Sequence, residues 1–350
     1  MTWDLIKGKT KYSDVNTTLL KAELNDNVTY VKDYAFYKCS SLKTILLGNN
    51  VIEIGSSAFS GCTSLVDINT LGHITKLSDG VFAGCLSLTN IVIPDSVTII
   101  TNSAFSACTS LTNITIPDSV TTISNWAFSG CTSLTTLTLS NINDLLNGAF
   151  SGCTSLTSIN ISGNGKGTIY GAPFSECNNL TDVIIGEGII TIDGGAFGSC
   201  GSIEVVSLPD SITTITSAVF SVNLNLKKVI YKGNEYYSKP LLLKVLQNNN
   251  VTVTDASFTN TGLLDGIYMT CYNHDPGTYA ICYGDEPNVI VNGVDVTNKL
   301  VKDGDYWYYT FTEGENVVQV KETLISISAY SKQKTLFNAY YKVIMGEGID

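Results

Sequence analysis

Apolar residues recur along most of this chain with a period of about 23 positions. Within one period, apolar and polar residues alternate over a short run, a turn follows, and a second short apolar run leads to an aromatic residue. Alternation with a period of two is typical of a short β-strand with one buried face. The aromatic position holds phenylalanine in nine successive copies: Phe36, Phe59, Phe82, Phe105, Phe128, Phe150, Phe174, Phe197 and Phe220.

Two further columns of residues keep the same spacing. A cysteine stands three residues after each of the first eight phenylalanines, whereas Asn223 takes this position after the ninth. A leucine or isoleucine follows three residues later in every copy. One such unit cannot bury its apolar face alone, but stacked units bury a continuous core, so the pattern predicts a solenoid of about nine coils. The cysteines are Cys39, Cys62, Cys85, Cys108, Cys131, Cys153, Cys177 and Cys200.

A single coil can be followed around Ile114. Ile114 and Ile116 alternate with polar residues and predict a short strand whose apolar side chains point inward. The segment 117–119, Pro-Asp-Ser, predicts a turn, because proline fixes φ and aspartate accepts local hydrogen bonds. Val120 and Ile123 then point inward from a second extended piece.

These residues resemble the BspA-type leucine-rich repeat, whose pattern is Ala-Phe-x-x-Cys-x-x-Leu-x-x-Ile-x-Ile-Pro-x-x-Val-x-x-Ile. The resemblance covers roughly residues 19–232 and implies a right-handed leucine-rich-repeat solenoid. The family is common in surface and secreted proteins of gut bacteria and parasitic protists, and in phages of such bacteria. It therefore implies adhesion or host interaction, although its members share no single ligand. One departure is the glycine-rich segment 162–168, which we expect to loosen into a bulge.

The ends of the repeat array define the predicted domains. Residues 1–18 do not fit the repeat and are predicted to form an N-terminal cap or arm. An apolar run that begins at Pro240 predicts a short helix that covers the last coil, so the solenoid with its cap spans 19–250. Residues 251–350 are rich in tyrosine and hold seven alternating runs separated by turns. They predict a small antiparallel β-sandwich, Ig-like in outline, so the whole chain is predicted to be mainly β.

Composition narrows the choice of partners. The net charge is −11, charged residues are only 15% of the chain, and arginine is absent. The chain lacks the arginine guanidinium groups that bind phosphate, and its net charge is negative. Nucleic acids and anionic membrane surfaces are therefore poor partners. No apolar run approaches the roughly 18 residues that span a bilayer, so we expect no direct membrane insertion. The segment 1–7 lacks the apolar core of a signal peptide, so a leader was removed or never used.

Cysteine is the most frequent reactive side chain in the repeats. Identical positions in stacked coils lie about 4.8 Å apart, whereas a disulfide needs Cβ atoms about 3.8 Å apart. We interpret the eight repeat cysteines as small buried hydrophobes with no hydrogen-bond partner. Cys271 and Cys282 differ, because they flank a turn in the Tyr-rich region. If they pair directly across a hairpin, a disulfide is within reach; a zinc site that includes His274 is a further alternative.

Catalytic patterns are missing from the sequence. His73 and His274 are the only histidines, and neither lies in a recognisable nucleophile or metal motif. The glycines of 163–167 superficially resemble a phosphate loop, but no helix pattern follows them, so we expect an ordinary loop. The sequence predicts no catalytic residue, no cofactor and no metal site, and the protein is not expected to be an enzyme.

Two surfaces of the solenoid are candidates for binding. The outward positions of the predicted strands form a polar face of short side chains, which either binds a partner or is simply solvated. Trp126 stands between Ser103 and Gly148 at the equivalent positions of the adjacent coils, so we expect it to be exposed. It either anchors a partner or lies over its neighbours. The strand-face candidates are Asn113, Thr115, Thr136, Thr138 and Asn160.

The Tyr-rich region offers a competing surface. In the run 306–309, Tyr-Trp-Tyr-Tyr, two side chains face each side of a predicted strand. One pair belongs to the core, and the other, with Trp307 as the candidate, is available to stack on a sugar or contact a protein.

Two functional hypotheses follow. The first is a non-enzymatic recognition or adhesion protein, extracellular on a microbial cell surface or on a phage virion, that binds a protein or glycan on a host or neighbouring surface. The second is a structural virion component (a fibre, decoration or baseplate protein) in which the solenoid is a displayed spacer that contacts other virion proteins or itself. Free thiols and a start at Met1 without a leader favour the virion.

Overall fold

The structure is a computed structural model of the chain. It describes residues 18–69, 71–216, 218–236 and 239–263, and beyond these a set of β-strands and residue 299 between 267 and 342. The chain divides into two compact units. Residues 1–235 and 249–262 form the first, here called the solenoid unit, and residues 236–248 and 263–350 form the second unit.

Short parallel strands make up the solenoid unit. Most strands pair with the equivalent residues one repeat later, as Ile99 pairs with Thr122 and Ile100 with Ile123. The predicted solenoid of about nine turns, mainly β, is confirmed. The strands are β1 (Lys21–Glu23), β2 (Tyr30–Val31), β3 (Thr44–Leu46), β4 (Glu53–Ile54), β5 (Asp67–Ile68), β6 (Lys76–Leu77), β7 (Ile99–Ile100), β8 (Thr122–Ile123), β9 (Thr136–Leu145), β10 (Ser158–Ile169), β11 (Asp182–Ile185), β12 (Ile189–Ile192), β13 (Val205–Leu208), β14 (Thr214–Ile215), β15 (Lys228–Tyr231) and β16 (Asn234–Tyr236).

Pairing extends through most of the array. One sheet runs in the order β16-β15-β13-β11-β10-β9-β8-β7-β6, and β12 and β14 continue it beside β10. The first coils form two smaller sheets, β1-β3-β5 and β2-β4. Because every coil hydrogen-bonds to the next at several points, the coils form one rigid stack.

A column of phenylalanine rings forms the centre of the solenoid. Consecutive rings from Phe36 to Phe220 are stacked, with centroids 5.0–5.7 Å apart and planes within 16° of parallel. All nine side chains are at most 2% exposed. The 23-residue spacing explains this arrangement, because it returns the same residue to the same place in each successive coil.

The repeat cysteines line a second column and are buried free thiols. Our expectation that they lack a hydrogen-bond partner is wrong. From Cys62 to Cys200, each Sγ lies 3.0–3.3 Å from the carbonyl oxygen of the phenylalanine in the preceding coil; for Cys131 the acceptor is Phe105. Without the thiol, the carbonyl oxygen that it contacts would accept one hydrogen bond fewer inside the core.

Asn223 ends the cysteine column. Its Nδ2 donates to the carbonyl oxygen of Phe197 at 2.7 Å, which is the bond that a cysteine would make. The same nitrogen donates to the carbonyl oxygen of Phe220 at 3.0 Å. In the other coils, the phenylalanine carbonyl oxygen accepts a hydrogen bond from the cysteine of the next coil. No cysteine follows the coil of Phe220. The two N–H bonds of one amide therefore replace two thiols, while Asn223 Oδ1 stays buried without a hydrogen-bond partner.

Residues 249–262 cover the last coil. Thr252 pairs with Thr214, and the short 3-10 helix Asp255–Phe258 places the ring of Phe258 on Phe220, with centroids 5.1 Å apart. Phe258 thus adds a tenth ring to the column. The structure divides the chain differently from the predicted boundary at residue 250, because this segment belongs to the solenoid unit and the predicted cap helix belongs to the second unit.

The second unit contains helix α1 (Lys239–Asn248) and antiparallel strands. The strands pair in two sets, in the orders β20-β19-β23-β17-β24 and β18-β22-β21. They are β17 (Ile267–Asn273), β18 (Gly277–Tyr283), β19 (Asn288–Val291), β20 (Val294–Asp295), β21 (Val301–Asp303), β22 (Tyr306–Phe311), β23 (Gly314–Lys321) and β24 (Tyr341–Lys342).

The strand pairing bears on the two cysteines of this unit. Cys271 in β17 pairs with Asn316 and Tyr341, whereas Cys282 in β18 pairs with Trp307. The direct hairpin pairing from which we argued for a disulfide is therefore not formed, because β17 and β18 belong to different sheets. His274, the histidine of the alternative zinc site, lies outside the described residues.

Candidate binding surface

The strand face of the solenoid brings together three of the predicted residues. Thr136 and Thr138 on β9 are exposed, and Leu137 between them is buried. Thr138 pairs with Asn160 on β10, which is also exposed. Asn113 and Thr115 hold the equivalent positions one coil earlier, and both are exposed as predicted.

Apolar side chains interrupt this face. Val92, one coil before Thr115, is 75% exposed, and Ile184, which pairs with Asn160, is 47% exposed. The face is therefore polar only over its central coils, and it carries an isolated apolar residue on each side of them.

Trp126 lies in the turn that precedes the phenylalanine. Its backbone has φ of +53°, a conformation shared by Ser57 and Ser103 at the same position of earlier coils. The side chain is 50% exposed. A Cβ atom on Gly148, one coil further on, would collide with the indole, so the ring lies across this glycine. Trp126 thus does lie over its neighbour, as one of our two alternatives stated, while half of its surface faces solvent.

A column of asparagines runs beside Trp126. Asn102, Asn125 and Asn147 precede the turn position in three successive coils. Asn125 Nδ2 donates to Asn102 Oδ1 at 3.3 Å, and Asn147 Oδ1 accepts from the backbone N–H of Ala172 at 3.0 Å. These bonds fix the amides in a row along the turn side of the solenoid. They are not among the residues predicted from the sequence, although their 22- and 23-residue spacing was a usable signal.

Trp126 and the strand face lie on different sides of the coil. The backbone N–H of Trp126 donates to the carbonyl oxygen of Asn147, so it belongs to the ladder formed by the turns. Thr136 and Thr138 belong to the separate ladder between β9 and β10. The buried side chains of Phe128 and Leu137 lie between the two ladders. A compact ligand on Trp126 is thus not in reach of Thr136 or Thr138.

The glycine-rich segment forms a bulge, as expected, and its N–H groups are occupied. It lies within β10, whose register to β9 shifts at Gly163. The N–H groups of Gly165 and Gly167 both donate to the carbonyl oxygen of Gly188, and the N–H of Lys166 donates to Asn164 Oδ1. These three N–H groups are therefore not free to bind a phosphate group.

Reactive groups are few in the described part of the chain. There, no group of three or more His, Cys, Asp or Glu side chains could hold a metal ion. Burial raises the pKa of the repeat thiols, to about 11 for Cys39 and to about 12 for Cys62 and Cys108. A thiol with such a pKa is a poor nucleophile near neutral pH, because only the thiolate reacts. Within the same residues, no helix has the length and hydropathy to cross a membrane.

A cavity of about 350 Å³ lies at the first coil, lined by Leu24, Val28 and Phe36 among others. It is four coils away from Trp126. The predicted N-terminal cap or arm, except for Thr18, lies outside the described residues. The side chain of Trp307 likewise lies outside them, although its backbone forms part of β22.

Comparison with known families identifies the repeat. The model of the BspA type leucine rich repeat region matches six copies, over residues 10–91, 75–168 and 164–280. The chain belongs to the BspA-type leucine-rich repeat family. The predicted family is thus confirmed, and this family is in general a non-enzymatic repeat scaffold of surface-type proteins.

Several solved structures are similar to this BspA-type chain. A leucine-rich repeat protein from Bacteroides ovatus is 25% identical with a TM-score of 0.48, over 60% of this chain and 66% of its own. A leucine-rich repeat protein of T. pallidum is 28% identical with a TM-score of 0.42, over 53% of this chain and 78% of its own. A leucine rich cell surface protein from Faecalibacterium prausnitzii is 25% identical with a TM-score of 0.31, over 67% and 83%. No curated protein sequence matches the chain.

Proposed function

We propose that this BspA-type protein is a non-enzymatic recognition or adhesion protein, displayed on a microbial surface or a phage particle. Its solenoid binds a protein or glycan on a host or neighbouring surface. Membership of a family of surface-type repeat scaffolds supports the proposal.

The observation that carries the proposal is the half-exposed indole of Trp126 on a rigid coil. Ala127 and Phe128, which follow it, are both 0% exposed, and Phe128 is stacked between two other rings. An aromatic side chain held in this way loses little conformational entropy when a partner binds. Exposed tryptophans on such supports dominate the energy of many interfaces.

The test measures attachment of beads coated with the full chain to cultured epithelial cells and to bacterial envelopes. Trp126→Ala is expected to leave the melting temperature nearly unchanged, because the side chain is half exposed, and to reduce attachment. A matched control is Val92→Ala, which removes an exposed apolar side chain from the strand face.

Deletion of residues 263–350, which removes the second unit except for residues 236–248, tests the two units in the same assay. Attachment that survives the deletion and depends on Trp126 supports recognition by the solenoid. Attachment that survives Trp126→Ala but is lost on the deletion would assign recognition to the second unit, with Trp307 as its candidate, and the solenoid would be a spacer.

A second candidate function is a structural virion component. The buried thiols favour it, because each of the seven from Cys62 to Cys200 is hydrogen-bonded as a thiol and none requires an oxidising compartment. In this case we propose that the strands of the second unit form an Ig-like sandwich that docks to the particle. Mass spectrometry of purified particles and of cell envelopes distinguishes the two origins.

A further inference from the structure

We infer that the turn side of the solenoid around Trp126 is a binding site for an uncharged glycan chain. The site, here called the Trp126 platform, consists of Trp126, Asn102, Asn125, Asn147 and Tyr170. The inference rests on the proposed function and names the ligand class and the surface that binds it.

The first argument is the orientation of the indole. The five-membered ring of the indole lies against Gly148 of the next coil, while half of the surface of Trp126 faces solvent. A flat aromatic surface with one open face suits a pyranose ring, whose C–H groups point to one side and meet the negative face of the π-system. A protein anchor, in contrast, inserts into a pocket and needs no such flat support.

The second argument is the chemistry beside the ring. The three asparagines form a row along the indole, and a side-chain amide both donates and accepts hydrogen bonds. Sugar hydroxyl groups also do both, so one row of amides can bind successive hydroxyls. Tyr170 follows Ile169, which pairs with Leu145, so it stands one residue before the position of Asn147 on the next coil; it is 38% exposed and adds a second exposed aromatic side chain.

The third argument is spacing. Coils follow one another at roughly 4.8 Å, which is close to the length of one sugar unit in an extended chain. The indole lies over the coil of Gly148, and Tyr170 lies on the coil after it. Successive sugar units along the solenoid axis would therefore meet side chains of successive coils.

Size and charge favour a neutral glycan over a protein or an acidic polysaccharide. The platform spans three to four coils, or about 15–20 Å, whereas a stable protein interface covers roughly 800 Å² on each partner with an apolar centre. Among the other exposed apolar residues near these coils, Val92 and Ile184 lie on the strand face, and Ile99 on β7 is 39% exposed. None of the five platform residues is charged, and the net charge of −11 disfavours anionic chains.

The test uses the full chain and measures binding to immobilised cellohexaose, xylohexaose, mannohexaose and galactohexaose, with heparin and hyaluronan oligosaccharides as acidic probes. We expect at least one neutral oligosaccharide to bind and to change the tryptophan fluorescence. Trp126→Ala is expected to weaken that binding about thirty-fold, which corresponds to roughly 2 kcal/mol. Trp126→Phe, which keeps a ring, is expected to retain most of it.

Gly148→Ser provides a test that leaves the tryptophan in the chain. Serine is compatible with the backbone, because Ser57 and Ser103 adopt the same positive φ, but its Cβ displaces the indole. We expect Gly148→Ser to weaken binding as strongly as Trp126→Ala, and Val92→Ala to have no effect.

Two results would overturn the inference. The first is failure of every neutral oligosaccharide to bind while cell attachment still depends on Trp126; the proposed function then stands, with a protein as the partner. The second is neutral-glycan binding that is unchanged in both Trp126→Ala and Gly148→Ser, which would place the site elsewhere. A finding that cell attachment does not depend on Trp126 would instead count against the proposed function.

Discussion

Replacement of Phe258 by alanine tests whether residues 249–262 are part of the solenoid. The side chain is 0% exposed and its ring stacks on Phe220 at 5.1 Å. Truncation of a buried phenylalanine to alanine costs about 3–5 kcal/mol, of which the stacked pair accounts for roughly 0.5–1.5 kcal/mol. Because contacts in a solenoid are between neighbouring coils, this cost falls on the last coil and increases its local opening by roughly a hundred- to a few-thousand-fold.

The expected result is local unfolding at one end, and the cysteines report it. Cys200 lies one coil before Phe220, whereas Cys108 lies in the middle of the array. Pulsed thiol labelling followed by mass spectrometry should show faster labelling of Cys200 in Phe258→Ala, with the labelling of Cys108 unchanged. A matched control is Thr259→Ala, which changes an exposed neighbour. Equal labelling of both cysteines, with an unchanged denaturation midpoint, would refute the assignment of this segment to the solenoid.

Three further predictions follow from the core and the bulge. Cys131→Ser is expected to lower the free energy of unfolding by about 1 kcal/mol and Cys131→Ala by about 2 kcal/mol, because only serine can still donate a hydrogen bond to the carbonyl oxygen of Phe105. Urea denaturation measures both values, and a larger loss for serine than for alanine would contradict the prediction. Burial raises the folded-state pKa of the repeat thiols, so their contribution to stability should be constant well below pH 9.0 and fall as pH rises towards 12, which denaturation at a series of pH values measures. Gly188→Ala is expected to lower the free energy of unfolding by about 2–3 kcal/mol, because the φ of Gly188 is +84° and a Cβ would collide with the carbonyl oxygen of Gly163. The control is Gly201→Ala, whose Cβ meets no atom within 4 Å and which should change the melting temperature little.

The sequence predicts the core of the solenoid well, because its information is periodic. Phe128 and Cys131 recur at a fixed spacing, and a fixed spacing in a stack implies a column. The S–H bonds were missed, because the pattern reveals burial but not which carbonyl group faces the sulfur atom. Asn223 was recognised only as an interruption, since its two roles depend on the absence of a following coil.

Phe258 was missed for a different reason. It lies 38 residues after Phe220, because β15, β16 and α1 intervene, so it does not fit the 23-residue period. A local signal was present: Val253 precedes Phe258 by five residues, as Ile123 precedes Phe128. For Trp126, spacing predicted the small neighbour at Gly148, but only the structure shows that the indole packs against it.

The direction of the thiol hydrogen bonds makes the internal coils differ from the last coil, which contains Asn223. Every internal coil receives a donor from the coil after it and supplies one to the coil before it, so a duplicated internal coil would find both partners already in place. The coil of Asn223 cannot be copied in this way, because its amide serves two carbonyl groups at once. Whole-coil duplications and deletions within the gene would thus lengthen or shorten the rod in steps of roughly 4.8 Å while both ends stay intact. Reach can therefore be adjusted by recombination, independently of the residues that make the contact.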